Sequence, residues 1–324
     1  MARCNNRIWV YIYSSSISFS VLSSSLSRYI SCHIETKPQT HTKAHIAMAM
    51  RLFLFGLSAA AVLGQSPSYD WGPSLDIGII LFPGFQPLDV IAPADVMMAL
   101  SGSVNMTISF IWKEAGPVWA RSPPRLNPAP PNPNIPAGVF PIQAPSFVAT
   151  HSFADAPPLD VVLVPGGAGS RVLHDHNDTS VEDFVKERYP TLRYLLSVCT
   201  GSGFLAKSGL LDGRRATTNK AAWSWPTQFG TNVTWVPTAR WVEDGNIWSS
   251  SGVSAGIDMT YAFFSRILDQ KLVDRTMNNI EYAPHLDEHW DPYSIVHNVP
   301  GADQSQSLGE CVGPAGYEFT CNKE

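Results

Sequence analysis

"LRYLLSVCTGSGFLAK", Leu192 to Lys207, sets one cysteine between an apolar run and a run of small residues. The apolar run has no polar alternation, which predicts a short strand buried on both faces. Thr200, Gly201 and Ser202 then open a predicted helix through about Lys207. A strand that passes straight into a helix at a cysteine is the arrangement of a nucleophile elbow, with small residues where the backbone turns tightly. A helix N-terminus there is expected to lower the thiol pKa and raise the thiolate fraction. Burial as a small apolar side chain is the commoner fate of a lone cysteine. Spacing alone leaves both readings open.

Working outward, the same strand-then-helix order repeats. "LDIGIILF" (75–82) is a buried-type strand, followed by a Pro-Gly turn and the helical "VIAPADVMMAL". "MTISFIW", "LDVVLVPGG" (159–167) and "LRYLLSV" (192–198) are further strands, with the helical "SVEDFVKERY" before the last. "GRRATT" predicts a short strand and the region of Ala221 another helix. "RWVEDGNIWSSSG" predicts a hairpin with Asp-Gly at its turn. "SAGIDMTYAFFSRIL" spaces Ile257, Tyr261, Phe264 and Leu268 along one helical face. Apolar strands alternating with helices predict a largely parallel sheet covered on both sides. "RSPPRLNPAPPNPNIPAGVFPIQAP" (121–145) is an irregular surface excursion by its Pro and Asn content, and residues 285–324 form an irregular tail.

Of the 324 residues, 44% are hydrophobic and 15% charged, which suits an ordered globular protein. Residues 1–47 are rich in Ser and Ile and carry one acid, Glu35. Residues 48–64, "MAMRLFLFGLSAAAVLG", combine a basic start, an apolar core and small residues, the pattern of a secretory signal. Translation is therefore expected to start at Met48 or Met50, with a secreted mature chain that carries no membrane span. Losing residues 1–64 removes six basic residues and one acid, so the charge goes from −5 to about −10. That sign argues against a nucleic-acid partner. Sequons at Asn105, Asn177 and Asn232 mark expected glycosylation sites. In the oxidising compartment Cys311 and Cys321 can close a short loop by disulfide, which leaves Cys199 as the odd thiol.

Other segments also carry candidate residues. "VPGGAG" (164–169) ends a strand, where glycine N–H groups can face a developing anion. Asp89, in "GFQPLDVIAP", leaves another strand end and can reach the same edge, although a lone Asp before a helix is usually an N-cap. "GVSAG" (252–256) spells a serine-hydrolase pattern but lacks the later strands that would carry an acid and a histidine. Ser254 is expected to cap the next helix. "HLDEH" (285–289) spells a zinc-peptidase motif, but Pro284 and Pro292 leave no room for its helix, so these are expected surface residues and no metal is implied. "HDHND" (174–178) reads as a solvated loop. The tryptophans between Trp223 and Trp248 read as core or interface more than as a ligand pocket.

Taken together, "LFPGFQPLDVIAP", "IWKEAGPV", "SFADAPPLDVVLVPGGAG", "SVCTGSGFLAKSGLLDGRRATT", "SAGID" and "EYAP" resemble the ThiJ/PfpI family, and within it the isonitrile hydratase branch. The resemblance implies a flavodoxin-like three-layer α/β/α sandwich with a mostly parallel sheet, here a domain over 71–284. It implies Cys199 as nucleophile, Asp89 as the facing acid, Thr200 as the residue after the nucleophile, and an anion pocket from Gly167 and the Thr200 backbone. No cofactor is implied; a small-molecule substrate and a homodimer are. The alternative is a non-catalytic redox-sensing or small-molecule-binding protein of the same family. One departure stands out: relatives often read "ATTH" where this chain reads "ATTNK", with Asn219 at the histidine's place. Asn is no general base, which disfavours a Cys–His mechanism and suits one that uses an Asp.

Overall fold

The computed structural model describes residues 74–126, 144–305 and 308. Residues 1–47, the segment 48–64 expected to be a signal sequence, most of the Pro-rich excursion, and Cys311 and Cys321 lie outside the described residues. The chain begins β1 (Leu75–Ile80), α1 (Pro87–Ser101), β2 (Met106–Trp112), β3 (Gly116–Trp119), β4 (Ser146–Ala149) and β5 (His151–Ser152). It continues with β6 (Val161–Val164), α2 (Gly169–Asp175), α3 (Ser180–Arg188), β7 (Tyr194–Ser197) and α4 (Ser202–Lys207). β8 (Arg215–Ala216), β9 (Thr234–Trp235), β10 (Trp241–Asp244), β11 (Ile247–Ser250), α5 (Val253–Ile267), α6 (Gln270–Asn279) and α7 (Tyr293–Val296) follow.

Seven strands form one sheet in the order β10-β11-β7-β6-β1-β2-β5, parallel except for β10 against β11. Every residue of β6 and β11 is buried, as their unbroken apolar or small composition requires. From β1 the chain crosses through α1 to β2 on one side, whereas β6 crosses through α2 and α3 to β7 on the other. Right-handed crossovers in opposite directions put those helices on opposite faces of the sheet. α1 packs along α5 and α6, and α3 packs on α4. The reversal falls between β1 and β6, so the crevice at their carboxyl ends is where a doubly wound sheet takes a ligand.

The elbow after β7 depends on close backbone approach. Val198 is extended, Cys199 sits at φ +59°, and a single 3₁₀ turn over Cys199–Gly201 leads into α4. Positive φ at a non-glycine residue is strained and persists only where its surroundings hold it. Here they do. A Cβ on Gly201 would lie 2.2 Å from the Val164 carbonyl oxygen, and one on Gly166 would lie 2.5 Å from the Thr200 nitrogen and 2.8 Å from the Cys199 Cβ.

Several local expectations change. The region of Ala221 forms turns and a short 3₁₀ helix, Pro226–Gln228, and no α-helix. Asn219 Oδ1 accepts the Ala222 N–H at 2.9 Å, and Pro226 removes a donor soon after, so the backbone closes as turns. Gly252, not Ser254, is the cap of α5; the Ser254 hydroxyl instead lies 3.4 Å from Arg240 Nη2. On α5 the expected face holds: Tyr261, Phe264 and Leu268 are buried and only Ile257 is half-buried, with Met259, Phe263 and Ile267 buried as well. "HDHND" begins on α2: His174 packs edge-on to Trp225 and Phe229, while Asp175 and Asp178 pair with Arg125 and Lys113. His285 is buried rather than on the surface, because its N–H donates to the buried Asp258 Oδ1 at 3.0 Å. Trp241 and Trp248 are core, while Trp223, Trp225 and Trp235 are half-buried.

The packing of the elbow predicts the effect of one methyl group. Gly201→Ala drives a Cβ into the Val164 carbonyl and should cost about 1–3 kcal/mol, seen as a drop of several degrees in Tm. Gly102→Ala, whose nearest neighbour would be 3.8 Å away, should leave Tm within about a degree. Equal effects of the two would contradict the close-approach account.

Candidate active site

Three neighbouring strand ends deliver the site. β7 ends at the elbow and presents Cys199, β6 ends at Gly166 and Gly167, and β1 leads through Pro83–Gln86 into α1, which carries Asp89 in its first turn. Asp89 is fully buried and does not cap α1. Its Oδ2 accepts the Gly166 N–H at 2.9 Å, and its Oδ1 makes no hydrogen bond to another described residue. The carboxyl also interacts with the Cys199 thiol. Burial raises the Asp89 pKa to about 7, against the opposing pull of the Gly166 N–H and the thiol.

Cys199 is 7% exposed. Burial first, and the Asp89 charge second, push its thiol well above the ordinary range. This corrects the expectation that a helix dipole would lower it. α4 is six residues long and stands one 3₁₀ turn away, so its dipole is outweighed by desolvation and a neighbouring acid. Three groups act the other way: the Thr200 backbone N–H, the Asn219 amide and the Thr200 hydroxyl all face the sulfur. Asn219 is oriented for this, because its Oδ1 is held by Ala222 N–H and its Nδ2 is left as the donor. The Arg171 guanidinium, stacked 5.2 Å over Trp225, is near enough for its charge and that of Cys199 to act on each other.

The structure thus brings Cys199, Asp89, Thr200 and Gly167 to one place. Gly167 plays a different part from the one expected: its N–H donates to Thr200 Oγ1 at 3.0 Å and is not aimed at an open position. The elbow is further tied by the hydroxyls of Thr218 and Ser202, which donate to the Cys199 carbonyl at 3.0 and 3.2 Å. Sequence reading missed Gly166 as the anchor of Asp89, Asn219 as a donor to sulfur, and Arg171 as the nearby cation. The Gly-Gly pair signalled the first without saying which N–H served whom. Among the described residues no cluster of His, Cys, Asp and Glu is arranged to hold a metal, and no helix is long and apolar enough to cross a membrane. Asn105, Asn177 and Asn232 are all exposed.

A family model for the DJ-1/PfpI family matches residues 142–266, which include β6, the elbow and most of α5. An isonitrile hydratase from Pseudomonas putida is 33% identical over 211 residues, covering 65% of this chain and 80% of that protein. The chain belongs to the DJ-1/PfpI family. A crystal structure of a THiJ/PfpI family protein from Pseudomonas syringae superposes with a TM-score of 0.53 at 24% identity, covering 78% of this chain and 84% of that one. An AraC family transcriptional regulator from Pseudomonas putida superposes at 0.50 and 15% identity, covering 64% of this chain and all of that one. Both support the fold, a flavodoxin-like α/β sandwich, and nothing finer.

In this DJ-1/PfpI site the thiol and the carboxyl titrate as a pair that shares one proton above about pH 7 and holds two below it. Alkylation of Cys199 by iodoacetamide should therefore rise about tenfold per pH unit below 7 and flatten above it, because the reactive thiolate with a neutral Asp89 is then a fixed fraction of the pair. A log-linear rise through pH 9 with no bend would show that the two groups are independent.

Proposed function

We propose that the chain is a cofactor-independent thiol hydratase that converts isocyanides to N-substituted formamides. The observation that carries this is the buried Asp89 carboxyl, with one oxygen uncommitted, beside a cysteine whose other neighbour is Asn219 and not a histidine. The relationship to an isonitrile hydratase supports the choice of electrophile.

The chemistry follows from that pair. Asp89 takes the thiol proton as Sγ bonds to the terminal isocyanide carbon, and returns the proton to that carbon to give a covalent thioimidate. Asp89, again ionised, takes a proton from water as the oxygen adds to the same carbon. Asp89 passes that proton to the nitrogen, then takes the remaining hydroxyl proton as the C=O forms and the C–S bond breaks, and gives it to the leaving sulfur as the formamide departs. The sum is one isocyanide and one water to one formamide, with no oxidant or reductant. The Thr200 N–H and the Asn219 amide stabilise charge on sulfur, both as attacking thiolate and as leaving group. Export from Met48 or Met50 belongs to the same reading, and the exposure of the three sequon asparagines supports it.

The buried, protonated thiol also favours a second reading, in which Cys199 binds or senses without turnover. One experiment separates them. Purified protein incubated with an alkyl isocyanide should form the formamide, Cys199→Ala should form none above background, and Asp89→Asn should lose about 10²-fold or more in kcat. Wild type no faster than Cys199→Ala would sink the hydratase reading. Reversible oxidation of Cys199 to the sulfenic acid in that same inactive protein would support the sensor.

A further inference from the structure

Arg171 stands close to the reacting pair, and the scheme above gives it no task. It lies on α2, four residues after Gly167, whose N–H holds the Thr200 hydroxyl. The side chain is half-buried, with its guanidinium 5.2 Å from the centre of the Trp225 ring. That ring rests against α4: a Cβ on Gly203, four residues after Cys199, would lie 2.9 Å from it. The arginine and its aromatic platform therefore reach the elbow from both sides, and the charges of Arg171 and Cys199 act on each other.

A cation drawn out of water normally has an acid to answer it. Asp175 is placed for that role, because residues four apart share a helix face. It is engaged elsewhere. Its Oδ2 accepts from Arg125 Nε at 2.9 Å and its Oδ1 from Arg125 Nη2 at 3.1 Å, the bidentate geometry of a strong pair. Among the described residues the Arg171 guanidinium makes no hydrogen bond and no ion pair. Burial first, and the Arg125 charge second, act against its protonated form, with Cys199 opposing them. An arginine is nevertheless always charged, and one that lies over a ring keeps its in-plane N–H groups for another partner.

The partner such a group takes is an anion with two oxygens in one plane. Arg125 is already neutralised by Asp175, so one cation is on offer, which matches the single charge of a carboxylate better than a phosphate dianion. We propose that Arg171 is a specificity-determining residue of this site, binding a carboxylate on the substrate through the N–H groups of its guanidinium. The inference rests on the hydratase reading for the rest of the substrate. Together they make short isocyano acids the preferred substrates, with the isocyanide carbon at Cys199 and the carboxylate at Arg171.

The binding test uses the full chain carrying Cys199→Ala and formamides as non-reacting probes. N-formylglycine is compared with its neutral isostere N-isobutylformamide, and N-formyl-β-alanine with N-(3-methylbutyl)formamide. At least one acid should bind about tenfold or more tightly than its isostere. Adding Arg171→Met keeps an unbranched stem beside Trp225 without the charge and should erase the preference. Arg171→Lys restores a point charge without the fork and should keep part of it. Thermal unfolding confirms that each variant is folded. Acetate, which lacks the formamide, should bind at least about tenfold more weakly than the favoured acid; equal affinity would make Arg171 a site for free anions and overturn the assignment to substrate. Equal binding of acid and isostere at both lengths, or a preference that survives Arg171→Met in a folded protein, overturns it as well. Turnover separates the two proposals. If isocyanoacetate and 3-isocyanopropanoate are hydrated with no higher kcat/KM than isobutyl and 3-methylbutyl isocyanide, the hydratase stands and the carboxylate site falls. If the probes discriminate as expected but no isocyanide is consumed, the carboxylate site stands and the hydratase falls.

Discussion

The hydrogen bond from the Gly166 N–H to Asp89 Oδ2 joins the end of β6 to the first turn of α1, the helix that follows β1, at the point where the sheet reverses its winding. It commits one oxygen of a fully buried carboxyl and leaves the other beside the thiol. The same glycine lies so close to Thr200 and Cys199 that no side chain fits between them. One residue thus fixes the acid, the backbone path of the elbow and the distance between the two reacting groups. The strain at Cys199 is sustained because each strand end around it is already placed by the parallel sheet.

Much of this was legible in the sequence, because buried parallel strands announce themselves. The runs around Leu75, Met106, Val161 and Tyr194 are dominated by apolar residues, and each forms a strand whose ends fall within three residues of its reading. Cys199 and Asp89 could be picked out because each follows such a run. What stayed hidden depends on partners far away in sequence. Nothing local says that Gly166 rather than Gly167 serves Asp89, or that the Asn219 amide turns its NH₂ to sulfur. Local propensity near Ala221 favours a helix, yet Asn219 and Pro226 close it into turns. His285 looked like a surface residue because its burial depends on Asp258, 27 positions earlier.

The tail shows the same lesson on a larger scale. It lacks period and strong apolar content, so composition marks it as decoration. In the structure Asp258 on α5 accepts from Arg240, from the Tyr282 hydroxyl and from the His285 N–H, and that buried network holds residues 282–291 against the domain. Polar residues do here what apolar residues do in the sheet, and periodicity cannot detect them. The network also brings Asp291 into the wall of a cavity that Leu88 and Asn219 line as well, so the part of the chain least readable from sequence meets the neighbours of the reacting groups.

The central claim is that Asp89 and Cys199 are one coupled acid pair, and titration of the thiolate absorbance near 240 nm tests it most directly. In the wild type the charge of Asp89 holds the thiol proton on. Asp89→Asn removes that charge while keeping the shape of the side chain and an oxygen for the Gly166 N–H, so the thiol pKa should fall even as turnover is lost. A thiol pKa that stays where it was, or rises, would contradict the account.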